Sequence, residues 1–106
     1  MTMRNYEVVS IIRPDLPKEA YDEIRQKVSS AVSKGEGQMK SWDSWKENYR
    51  FSYILRSRGA EKKKYTQGTY VISQILLDPQ KLGAFTHALD LEERIIRYLV
   101  INKDAK

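Results

Sequence analysis

Tyr6-Glu7-Val8-Val9-Ser10-Ile11-Ile12, halted by Arg13-Pro14-Asp15-Leu16-Pro17, sets the architecture, because the hydrophobic period changes beyond it. The first segment is apolar and rich in β-branched residues, so it reads as a strand. Proline cannot extend a hydrogen-bonded ladder, and the two prolines mark a short loop. Beyond them Ala20, Ile24, Val28, Ala31 and Val32 recur at helical spacing, with Lys18, Glu19, Asp22 and Arg25 falling elsewhere. Asp15 is the expected cap, with Pro17 in the first turn, and Gly35 and Gly37 end the helix.

The period returns to two further on. Tyr49, Phe51, Tyr53 and Leu55 alternate with Arg50, Ser52, Ile54 and Arg56, predicting a strand within residues 38–57. Trp42 and Trp45 are oddly spaced and cannot share one face of that strand unless a bulge, placed near Lys46-Glu47-Asn48, shifts the parity. Residues 56–67 carry Arg56, Arg58, Lys62, Lys63 and Lys64 beside Gly59 and Glu61, and read as a mobile basic hairpin loop. Thr69–Leu77 is a third strand. Asp78-Pro79 is a capping side chain followed by a first-turn proline, and it opens a helix with Leu82, Phe85 and Leu89 as its buried stripe. Ile95–Ile101 is a last strand, followed by a polar tail, 102–106, expected to fray.

The order β-α-β-β-α-β over residues 1–106 predicts a single α+β domain. It is a ferredoxin-like sandwich, a four-stranded antiparallel sheet with two helices on one face. Alternation then directs Tyr6, Val8, Ile12, Tyr98 and Val100 to the helices. Glu7, Val9, Ile11, Arg97, Leu99 and Ile101 fall on the uncovered face, with Arg4 expected to accompany Arg97 there.

Composition narrows the chemistry. Nineteen basic against 14 acidic residues give a net charge of +5, which suits phosphate-bearing partners. The absence of cysteine excludes disulfides and thiolate chemistry. No apolar run approaches a bilayer's thickness, and the first residues resemble neither a signal peptide nor a presequence. His87 is the single histidine and projects away from the helix stripe; Asp22-Glu23 and Glu92-Glu93 read as solvated faces and helix ends. Neither a cofactor nor a metal is expected. Small acyl-phosphate hydrolases share this topology, but Pro14-Asp15-Leu16-Pro17 offers no glycine cradle beside Arg13. The RNA-recognition motif shares it too, yet Gln67-Gly68-Thr69-Tyr70 lacks the first stacking ring.

Several stretches, taken in order, resemble one family. They are Arg4-Asn5-Tyr6-Glu7, Ile12-Arg13-Pro14-Asp15-Leu16, Phe51-Ser52-Tyr53-Ile54-Leu55, Gly68-Thr69-Tyr70-Val71 and the acidic turn Leu89-Asp90-Leu91-Glu92-Glu93 into Arg94-Ile95-Ile96-Arg97-Tyr98-Leu99-Val100. The collinear set is similar to small-subunit ribosomal protein six, the S-six family. Lys46-Glu47-Asn48-Tyr49 departs from the family's basic pair at that place, and the turn between strands two and three is longer than in typical bacterial members. The longer turn and the short lead into the first strand resemble mitochondrial members, so the mitochondrial matrix is favoured over a bacterial cytoplasm.

The resemblance implies a non-enzymatic component of the small-subunit platform that binds the central domain of the small-subunit RNA together with ribosomal protein S-eighteen. Arg4, Arg50, Arg56, Arg58, Lys62, Lys63, Lys64 and Arg97 are then the candidate RNA contacts. Glu7, Val9, Ile11, Trp42, Trp45 and Leu99 are the candidate partner-protein interface. Neither a membrane nor a small-molecule substrate is expected. The competing reading is a ferredoxin-like interaction or homodimerisation module outside the ribosome, using the apolar residues of the open face.

Overall fold

The computed structural model describes residues 3–14, 16–56 and 64–104, with residues 46–48 and 51–56 described by their backbone. The elements are β1 (Arg4–Ile12), α1 (Lys18–Lys34), β2 (Gln38–Arg56), β3 (Lys64–Leu77), a 3-10 turn (Pro79–Lys81), α2 (Leu82–Asp90) and β4 (Ile95–Asn102). The strands form one sheet in the order β2-β3-β1-β4, every neighbouring pair antiparallel. This is the expected ferredoxin-like sandwich.

Burial follows the alternation. Tyr6, Val8 and Ile12 of β1 and Val71, Ile75 and Leu77 of β3 form one core with Ile24, Val28 and Val32 of α1, Phe85 and Leu89 of α2, and Ile95 of β4. Both helices therefore lie on the same side of the sheet. Tyr98 and Val100 pack at its margin. Ser10 and Ser73 are buried on this side, and the Ser73 hydroxyl donates to the Val8 carbonyl at 3.4 Å, satisfying a polar group that water cannot reach.

The helix starts differ from their expected form. The N-cap of α1 is Pro17, with no side-chain cap, so proline stands one place outside the first turn. Asp15 lies outside the described residues. At the second start the Asp78 carboxylate does accept from the Gln80 N–H at 2.9 Å, although the first turn there is 3-10.

The end of α1 is closed by a paired set of backbone bonds. Glu36 N–H donates to Ser33 O at 2.9 Å and Gly37 N–H to Val32 O at 3.0 Å. That motif needs a left-handed residue, and it falls on Glu36 (φ 61°) rather than on either glycine. A side chain in this conformation is strained by Cβ against the next carbonyl. Glu36→Gly is accordingly expected to stabilise the fold by about 0.5–1 kcal/mol, read as a higher urea midpoint. A lowered midpoint would mean the Glu36 side chain contributes something the backbone argument omits.

Two further expectations are corrected. β3 begins at Lys64 rather than Thr69, and pairs with a β2 that runs to Arg56 as the extended reading of residues 38–57 anticipated, with Arg56 opposite Lys64 and Arg50 opposite Gln67. Cross-strand pairing turns both ends of the basic segment into strand, and residues 57–63 lie outside the described set. The tail does not fray through Asp104. Lys103 N–H donates to Asn5 O at 2.8 Å, and the Asp104 carboxylate accepts from the Asn5 backbone N–H at 2.8 Å and also from the Asn5 side-chain amide. Those bonds, the backbone one foremost, hold the Asp104 carboxyl below its usual range.

Candidate binding interface

The side of the sheet away from the helices is built by the other half of each alternation. Cross-strand register fixes its rows: Leu99, Val9, Ile72 and Asp43 in one, Arg97, Ile11, Tyr70 and Lys46 in the next. A third row holds Ile101, Glu7, Gln74 and Ser41, and the Gln74 amide donates to the Glu7 carboxylate at 2.8 Å. The middle of this face is apolar. Leu99 is 59% exposed and Trp45 58%, an amount of open hydrophobic surface that marks an interaction site when it is contiguous.

A break in register makes the face deeper at one end. β4 shifts between its pairings with Ile11 and Ile12, and the extra residue, Ile96, is fully buried against Ile11, Tyr65 and Tyr70. The bulge lets Ile95 and Ile96 both be buried, one under the helices and one on the open side. Tyr70 in turn carries the edges of Trp45 and Tyr49, with ring centroids at 5.9 and 5.6 Å and near-perpendicular planes. Such T-shaped pairs are the favoured aromatic geometry.

Of the expected partner residues, Glu7, Val9, Ile11, Trp45 and Leu99 come together here. Trp42 does not. It stands opposite Ser73 and packs at the margin of the helix-side core, while the odd spacing of the two tryptophans puts Trp45 on the open side by simple alternation. The expected break next to Lys46 does exist, between Lys46 and Tyr49, and another lies between Ser44 and Lys46, but neither brings the two tryptophans to one face. The sequence reading omitted Tyr70 and Ile72, although their alternation with Val71 and Ser73 signalled the open face. It also omitted Ile96, which no regular alternation could reveal.

The expected RNA contacts divide between two places. Arg97 is exposed opposite Ile11 and donates to the Ile96 carbonyl at 3.3 Å. Exposed Arg50 and Lys64, and the backbone of Arg56, belong to the extended β2–β3 ladder beyond the same end of β1. Arg4 is at the other end, opposite Leu77, roughly 25 Å away at ordinary strand rise. It shares the parity of Tyr6 and Val8, so it emerges on the helix side rather than beside Arg97. Arg58, Lys62 and Lys63 lie outside the described residues. Arg13, the residue a phosphate cradle would have needed, lies over the Tyr65 ring at 5.7 Å.

Glu92 is no solvated helix end. Arg94 donates through Nε to Glu92 Oε1 at 2.8 Å and through Nη2 to Oε2 at 2.9 Å, while its Nη1 reaches Glu23 on α1 at 2.9 Å. Lys27 adds a contact at 3.4 Å. The network ties α1 to the turn before β4. Hydrogen bonds from the Arg94 side chain, opposed by partial burial and helped by its backbone N–H and the neighbouring positive charges, lower the Glu92 pKa from 4.5 to about 2. A lowered carboxyl stabilises the fold above its unfolded pKa and loses that contribution as pH falls from about 4.5 to about 2. With solvent screening the contribution is roughly 1 kcal/mol. Glu92→Gln should therefore lower stability at pH 7 and converge on the parent near pH 2; a gap independent of pH would refute the assignment.

Among the described residues no group of three His, Asp or Glu side chains could hold a metal ion, and no helix is long and apolar enough to cross a membrane. A two-layer sandwich presenting an apolar sheet face edged by cations is a ferredoxin-like domain with one side of its sheet open. The sequence model for ribosomal protein S6 matches residues 5–102. The small ribosomal subunit protein bS6 of Moorella thermoacetica is 34% identical over 98 residues, covering 92% of both chains. That of Dictyoglomus turgidum is 26% identical over 98 residues, covering 92% of this chain and 93% of its own length. The crystal structure of 30S ribosomal protein S6 from Thermotoga maritima superposes with a TM-score of 0.71 at 19% identity, over 96% of this chain and 89% of that one. The chain belongs to the ribosomal protein S6 family, and is thus a structural protein of the small ribosomal subunit and not an enzyme. These relatives are bacterial and lend no support to the mitochondrial preference.

Proposed function

We propose that this protein is a platform scaffold of the small subunit that holds the central domain of the small-subunit RNA together with ribosomal protein S-eighteen. The observation that carries the reading is the uncovered sheet face, apolar at its centre around Val9, Ile72 and Leu99, with Arg97 and the basic ladder of Arg50 and Lys64 at one end. Apolar residues in the middle of a patch suit a protein, since desolvating them stabilises a dry contact. Cations on an extended hairpin suit phosphates, which they track without reading bases. Arg56, Arg58, Lys62 and Lys63 extend the same basic stretch in sequence, and Arg4 supplies a second, separate contact. Glu7, Ile11 and Trp45 complete the protein-binding side, with Trp42 outside it.

The test uses two sets of variants of the full chain. Arg50→Glu with Arg97→Glu should weaken binding to a central-domain RNA transcript about tenfold or more and flatten the dependence of affinity on salt. Leu99→Glu should instead reduce pairing with S-eighteen and leave the salt dependence of RNA binding intact. A salt-insensitive homodimer that binds neither would favour the homodimerisation module in place of this reading, and tagged protein absent from small-subunit particles would overturn it.

A further inference from the structure

We propose that the seam between α1 and α2, on the opposite side of the sheet from the candidate interface, is a docking groove for an acidic amphipathic helix of a protein partner. Two helices packed side by side on a sheet ordinarily close their seam with large side chains. Here four of the facing positions are small, Ser30 and Ala31 on α1 and Ala84 and Ala88 on α2, with Gln26, Lys27 and His87 beside them. The result is a groove of about 740 Å³, floored by Val28 and Leu89. Exposed Leu91, at 70%, stands at its rim.

The groove runs along α1 from Glu23 to Lys34, about 16 Å at helical rise, longer than the roughly 10.5 Å over which a partner helix presents successive anchors at i, i+4 and i+7. Its charges are segregated. At one end the carboxylates of Glu23 and Glu92 are already held by Arg94, and Glu92 also by Lys27. At the other end stand Lys34 and Lys81, and among the described residues no carboxylate lies within 4.0 Å of either. That end calls for carboxylates from outside.

The combination selects the occupant. A polyanionic RNA strand would gain from the lysines, but it has no aliphatic group for the alanine-lined wall. A second copy of this chain is a poor match, because α1 exposes mixed charges (Lys18, Glu19, Asp22, Arg25) and α2 is only nine residues long. An amphipathic helix with an aliphatic stripe and carboxylates clustered toward one terminus satisfies both halves of the groove. Because it sits behind the sheet, it can bind while the open face is occupied.

The experiment titrates the isotopically labelled full chain with a synthetic helix of about four turns, bearing a leucine–alanine stripe and glutamates near one end. Parallel titrations use the same peptide with lysines for glutamates and a single-stranded uridine oligomer. Amide shifts are expected over residues 30–35 and 81–91, leaving Val9, Ile72 and Leu99 unmoved. The lysine peptide should bind at least about tenfold more weakly, and so should the glutamate peptide to Lys34→Glu with Lys81→Glu. Equal affinity for both peptides, shifts on the open sheet face, or displacement of the peptide by the RNA oligomer would each overturn the proposal. The peptide comparison needs no variant, and its outcome is independent of whether the open face binds RNA.

Discussion

Phe85→Ala is expected to lower the unfolding free energy by about 3–5 kcal/mol, the range for truncating a fully buried aromatic ring. Phe85 is 1% exposed and heads the fully buried side chains of the described core. Its position magnifies the loss. α2 spans nine residues, too few to be stable alone, and it is fixed to the sheet by Phe85 and Leu89. Removing the ring opens a cavity and also takes away one of two anchors of a helix with little stability of its own. Urea unfolding followed by circular dichroism gives the value, and hydrogen exchange should show α2 amides losing protection first. A loss below about 1 kcal/mol would mean that neighbouring side chains collapse into the space. Phe85→Leu should recover most of the parent stability.

Gly37→Ala is expected to cost about 2–3 kcal/mol, a large effect for one added methyl group. A Cβ at this position would press on the Leu76 carbonyl oxygen and come within 2.9 Å of both Leu77 and Val32. None of these can move cheaply. Leu76 is paired with Gln38 in the ladder, and Leu77 and Val32 are buried core residues. The new methyl must push β2 away from β3 or lift the end of α1 off the sheet. Gly83 supplies the contrast. It lies in α2 with nothing within 4 Å of its would-be Cβ, so Gly83→Ala should stabilise by about 0.5–1 kcal/mol through helix propensity alone. Similar urea midpoints for the two alanine variants would sink the close-approach argument.

The elements legible in the sequence were those whose signals are local. Apolar, β-branched runs gave β1 and β4, period-two alternation gave the later part of β2, the spacing from Ala20 to Val32 gave α1, and Asp78-Pro79 gave the second helical segment. Where the outcome rested on a distant partner, local reading failed. Lys64-Tyr65-Thr66-Gln67 is polar enough to read as loop and becomes strand because β2 extends alongside it. The Glu92–Arg94–Glu23 network joins residues far apart in the chain, so adjacent acids in the sequence gave no hint of it. For the candidate interface, alternation alone placed Val9, Ile11, Arg97 and Leu99 correctly. It misplaced Trp42, because no bulge offsets the odd spacing that sets Trp42 and Trp45 on opposite faces, and it misjudged Arg4, whose parity with Tyr6 contradicted the face assigned to it.

The strand order carries a consequence for how the molecule comes to be. β1 occupies an interior place in the sheet, yet both its neighbours are encoded late: residues 69–77 pair with one edge and residues 95–102 with the other. On the ribosome that synthesises it, the Tyr6–Ile12 segment leaves the exit tunnel long before either neighbour does. Its backbone groups and its two apolar sides stay exposed until more than half the chain has emerged. Pairing so distant in sequence slows folding and lengthens exposure to aggregation. Newborn copies of this scaffold should accordingly rely on chaperones, or on rapid docking to a partner, more heavily than a helical bundle of equal size.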